Sequence, residues 1–204
     1  DARDEALKIT VELVRKHKRV LFNGDGYSEA WVKEAAKRGL PNIPSFVEAV
    51  SALTDPKATA LFARNGIFTQ PELAARSEIL YEQYIKTIIV ETRTFIDIAS
   101  RQVLGAGEDE LIRLGSLGDV PYVVAKRDKL AQLCSNLAAG IDELKSTLIV
   151  CADKPDHHAE GLALRQHLVP LMEKTRAYAD AIELLLPMDH YPIPCYTDLL
   201  FKLD

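Results

Sequence analysis

Asp156, His157, His158 and Glu160, with Asp153 just upstream, form the one cluster of metal-ligating residue types in this sequence. Their spacing works against shared coordination, because adjacent histidines on a helix point about 100° apart and cannot form a His-x-x-x-His face. In the first turn of a helix Asp156 reads as a cap and Glu160 as a complement to the macrodipole. Cys151 has no second cysteine at ligand spacing, so a metal-dependent enzyme would need converging ligands from another helix. The second candidate is Asn23-Gly24-Asp25-Gly26, since glycine-rich backbone ahead of a helix can cradle phosphate. It lacks the Lys-Ser/Thr pair of a P-loop and the third glycine of a dinucleotide fingerprint. It therefore reads as a turn that redirects the chain, with glycines able to supply positive φ.

His167 and His190 are isolated, and Cys195 has no base beside it in the tail; nothing in the sequence selects a Cys-His nucleophile built from distant positions. Tyr81, Tyr84, Phe95 and Tyr178 fit core or helix-interface positions better than a ligand box. Trp31 fits an anchor that holds its short helix on the larger body. No residue is assigned as catalytic, cofactor-binding or metal-binding.

The elements that would position these groups are helical. Leu7, Val11 and Val14 form a first amphipathic stripe, and Val20-Leu21-Phe22 is a short run that could be extended. Ser28 starts a helix that Gly39 and Leu40-Pro41 end. Ser45 with Glu48, Asp55-Pro56, and Thr69 with Glu72 are successive start signals. The third launches the longest periodic segment, residues 70–104, with Tyr81, Ile85, Ile88, Thr92, Phe95 and Ala99 on one seam. Gly105-Ala106-Gly107 is expected to break it. A second long helix follows Asp119 and Pro121, with Leu130, Leu133, Leu137, Ile141, Leu144 and Leu148 inward. A third runs over residues 156–185 through Leu164, Leu168, Leu171, Thr175, Tyr178, Ile182 and Leu185, with a kink expected at Pro170. Outside these, only Val20 to Phe22, Leu148 to Cys151 and the tail have β-like character.

The expected fold is all-α: an antiparallel bundle of three long helices, with shorter N-terminal helices and an extended Pro-rich C-terminal tail. Residues 1–55 form the N-terminal short helices and 56–204 the bundle and tail. Pro187, Pro192 and Pro194 oppose regular helix in the tail, while Tyr191, Ile193, Tyr196, Leu199, Leu200 and Phe201 need cover from the body or another chain.

A net charge of −5 without a sizeable basic block disfavours nucleic acid as a partner, and Arg15-Lys16-His17-Lys18-Arg19 reads as a solvated C-terminal turn. No apolar run approaches the roughly 20 residues that span a bilayer. Three cysteines, odd in number and far apart, suit a reducing cytoplasm. The start on Asp1 suggests an excised piece of a longer chain.

Arg19 to Asn42, reading Arg-Val-Leu-Phe-Asn-Gly-Asp-Gly-Tyr-Ser-Glu-Ala-Trp-Val-Lys-Glu-Ala-Ala-Lys-Arg-Gly-Leu-Pro-Asn, closely resembles the segment that follows the catalytic domain in type III glutamine synthetases. So does the tail, Tyr191-Pro-Ile-Pro-Cys-Tyr-Thr-Asp-Leu-Leu-Phe201. Between them Thr69-Gln-Pro-Glu72 and Tyr84-x-Lys-Thr-Ile-x-x-Glu91-Thr92 are similar in register. Leu104-Gly-Ala-Gly107 stands where the family pattern has a proline-containing turn.

The resemblance implies a parent glutamate–ammonia ligase of nitrogen metabolism that binds ATP and Mg2+ or Mn2+. In that enzyme ammonia displaces phosphate from γ-glutamyl phosphate. Its catalytic residues lie on the preceding sheet and none of their motifs is present here. This part would be inactive alone, joined to an upstream catalytic domain, and would support a homo-oligomer of two rings. The alternative is a free-standing helical adaptor or regulatory module without enzymatic activity.

Overall fold

The computed structural model describes residues 1–194 and 196–201. It divides into two compact units, Asp1–Pro44 and Ser45–Asp204. The first holds α1 (Ala2–Lys16), a 3-10 turn over Lys18–Val20 and α2 (Glu29–Lys37). Leu21 is extended, but among the described residues no strand forms around it.

The turn before α2 is built by side chains. The Asp25 carboxylate accepts from the Tyr27 N–H at 2.9 Å, and its carbonyl accepts from the Ser28 hydroxyl at 2.7 Å. Ser28 in turn caps α2 through the Trp31 N–H. Neither Gly24 nor Gly26 takes up positive φ; that conformation falls at Gly39, which ends α2 with φ 69°.

The second unit opens with α3 (Phe46–Val50), a 3-10 turn over Ser51–Thr54, and α4 (Pro56–Arg64). Residues 45–55, grouped with the N-terminal helices in the sequence reading, belong to this unit, because Val47 and Val50 are buried against Tyr81. α5 (Gln70–Ile98) starts on a complete capping box, in which Thr69 and Glu72 satisfy each other's backbone N–H groups. A π turn over Ala99–Val103 joins it directly to α6 (Leu104–Gly115).

Gly105-Ala106-Gly107 therefore does not break the helix. Gly107 is a close-approach site, where a Cβ would stand 2.7 Å from the Cys134 Sγ. The chain turns instead at Gly118, φ 74°.

α7 (Pro121–Ala152) absorbs Leu148 to Cys151 into its last turns, which removes their β-like reading. α8 (His157–Ala163), a π turn over Leu164–Leu168 and α9 (Val169–Glu183) form one further rod. Pro170 cannot donate to a carbonyl four residues back, and the π turn immediately before it absorbs the mismatch. After a 3-10 turn over Met188–His190 the tail ends in α10 (Tyr196–Phe201) rather than staying extended. Pro192 and Pro194 precede that short helix, so neither interrupts its hydrogen bonds.

Leu130 and Leu137 of α7 share one buried cluster with Ile182, and Leu144 shares a second with Leu164 and Leu168, all essentially without exposure. The order of contacts gives the chain directions. Cys134 and Ile182 flank Gly107 while Gly140 faces Thr175, so residues ascending α7 meet residues descending α9. Thr92 and Thr175 are fully buried, and their hydroxyls return to the Ile88 and Leu171 carbonyls at 2.8 Å, which avoids an unsatisfied donor.

Candidate functional site

Asp156 accepts from the Ala159 N–H at 2.8 Å and caps α8, as its spacing suggests. The neighbouring histidines diverge. His157 Nδ1 pairs with the Glu78 carboxylate, whereas the His158 ring packs 5.2 Å from Tyr81. Among the described residues no three His, Cys, Asp or Glu side chains converge. Cys134 and Cys151 are buried and burial pushes both thiols up, the reverse of an activated nucleophile. Cys195 lies outside the described residues.

The glycine turn is pinned from α2. Phe22 and Trp31 stack at 4.5 Å, and the Arg38 guanidinium sits 5.9 and 5.7 Å from the two ring centroids. Arg38 donates to the Leu21 carbonyl at 2.5 Å, the Arg19 carbonyl at 3.3 Å and the Glu34 carboxylate at 2.7 Å. That hydrogen bond holds the Glu34 carboxyl below its ordinary value. One arginine thus closes a loop of Arg19 to Leu21 over the aromatic pair, with Nε and Nη1 engaged by structure.

Two features escape sequence reasoning. The first is Glu110, with no exposed side-chain surface, which accepts from Arg113 Nε and Nη2 at 2.6 and 2.7 Å and from Lys126 Nζ at 2.7 Å. The Arg113 hydrogen bonds lead, opposed by burial and joined by Lys126, in bringing its pKa down to about 2.

The second is a cleft of about 490 Å³ between the π turn at Ala99–Val103, α9 and the start of the tail. Phe95, Val103, Ala179, Tyr191 and Ile193 give it apolar walls, and Arg176, Asp180 and Glu183 give it a polar rim. Burial, with Glu183 and Asp180 beside it, pushes the Tyr191 phenol up to about 12. The cleft can hold apolar surface; it aligns no nucleophile with a base.

Comparison with known sequences supplies what this geometry lacks. A sequence model of the glutamine synthetase C-terminal domain matches residues 5–111. The chain belongs to that family.

A glutamine synthetase of Butyrivibrio fibrisolvens is 31% identical over all of this chain, and the type-3 glutamine synthetase of Dictyostelium discoideum is 30% identical over 95% of it. A glutamine synthetase of Bacteroides fragilis is 28% identical over 98%. The chain spans only 28% to 30% of the length of these relatives. The family match covers the Arg38 lock and all elements from α1 into α6, so the turn at Asn23 to Gly26 lies inside the matched region.

Proposed function

We propose that this chain is the non-catalytic C-terminal helical part of an ATP-dependent glutamate–ammonia ligase of the cytoplasm. It braces the catalytic domain that precedes it and shapes contacts in a two-ringed homo-oligomer. The first unit, Asp1–Pro44, makes the link and residues 45–204 the supporting body. The observation that carries this reading is the end-to-end alignment of the chain with under a third of each glutamine synthetase relative.

The parent's ATP and its Mg2+ or Mn2+ are held elsewhere in the polypeptide. Such ions take several converging oxygen ligands, whereas here Glu110 is consumed by Arg113 and Lys126 and Glu78 by His157. Glu110 and Glu78 therefore do not fit the cation, and no step of the ligation is routed through them.

Assay of glutamine formation from glutamate, ammonia and ATP tests the reading. The full-length gene product is expected to be active, and residues 1–204 alone inactive. Glutamine made by the chain alone would place catalytic groups within it. A gene that encodes no ligase domain ahead of these residues would favour the free-standing helical module.

A further inference from the structure

We infer that α1 is an interior helix of the assembled parent protein, its apolar arc packed against the catalytic portion of the same polypeptide. This rests on the proposed function and specifies the surface that joins the two parts. Within its own unit, Asp1–Pro44, α1 has no buried residue. Its five large apolar side chains, Leu7, Ile9, Val11, Leu13 and Val14, range from 40% to 63% exposed.

At about 100° per residue they fall on one arc of roughly 200°, and Glu5, Lys8, Glu12, Arg15 and Lys16 occupy the remainder. An ordinary surface helix needs a stripe of only about half that width. A face this broad is covered from two flanks. The unit that carries α1 cannot supply that cover, because Ala35 is its one buried residue. It is part of a core whose remainder lies in other residues.

Residues 45–204 already bury three clusters of their own, so the cover is assigned to the part of the polypeptide that the sequence relatives have beyond this chain. They extend over more than twice the length of this chain beyond what it covers, and the family match begins at residue 5, inside α1. A second copy fits poorly as the occupant. A 15-residue helix is about 22 Å long, and its face falls short of the roughly 800 Å² per partner of a stable protein interface. A covalently tethered partner needs far less area, since docking is then intramolecular.

The test is photo-cross-linking in the full-length protein, with Leu7→benzoylphenylalanine and Val11→benzoylphenylalanine on the arc and Glu12→benzoylphenylalanine on the charged side. Cross-links from positions 7 and 11 to residues preceding this chain should be about tenfold more abundant than from position 12, because the probe reacts only with groups in contact. Where either arc variant is insoluble, Val14→benzoylphenylalanine takes its place. Cross-links into residues 45–204, links between isotopically distinguishable subunits, or a yield no higher than at position 12 would each overturn the inference. Glutamine formation by the same unirradiated preparations separates the two claims. Misplaced cross-links in an active ligase sink the docking alone, and absence of ligase activity in the full-length protein sinks the proposed function.

Discussion

Burying Glu110 removes a carboxylate from water, a cost that is offset only while Arg113 and Lys126 both donate to it. Because its folded pKa is depressed from 4.5 to about 2, its contribution is complete above the unfolded value and is lost as pH falls through the folded one. Urea titrations of the chain should therefore show stability falling between pH 4.5 and 2. Glu110→Gln should cost about 3 kcal/mol near neutral pH, through the unpaired Lys126 ammonium, and flatten that acid slope; an unchanged slope would mean the carboxylate is not the titrating group. The site was not legible in the sequence because Lys126 lies 16 residues from Glu110, across the Gly118 turn. Spacing arguments favour neighbours, and they singled out His157 and His158, which the helix sends to different partners. The cap role of Asp156 was legible, since capping is settled within one turn of chain.

Helix starts were readable for the same local reason: Ser28, Ser45, Asp55, Thr69 and Asp156 all cap where their spacing placed them. The seams of the long rods were readable too, because burial repeats with the helical period. Hidden from sequence were the two π turns and the passage of a helix through Gly105-Ala106-Gly107, which depend on what packs alongside. The glycines separate into two kinds. A Cβ at Gly140 would stand 2.7 Å from Thr175 Cγ2, and one at Gly107 the same distance from Cys134 Sγ, whereas Gly105 has nothing within 4 Å. Gly140→Ala and Gly107→Ala should each destabilise by about 1–3 kcal/mol through overpacking. Gly105→Ala should stabilise by up to about 1 kcal/mol through helix propensity. Thermal melts of the three variants check this, and equal shifts of one sign would contradict the division.

The three buried clusters all lie within residues 45–204, while Asp1–Pro44 buries a single alanine. Residues 45–204 should therefore keep their helical circular dichroism and unfold cooperatively when 1–44 are removed. A non-cooperative melt of that truncated chain would show that the division does not mark a folding boundary. The Arg38 lock brings a spectroscopic consequence. Trp31 is the sole tryptophan of the chain, and it stacks on Phe22 under a guanidinium in the smaller unit. Tryptophan emission is thus a native reporter of the first 44 residues, whereas far-ultraviolet ellipticity is dominated by the rods. A denaturation followed by both signals resolves the two units optically, with no label introduced.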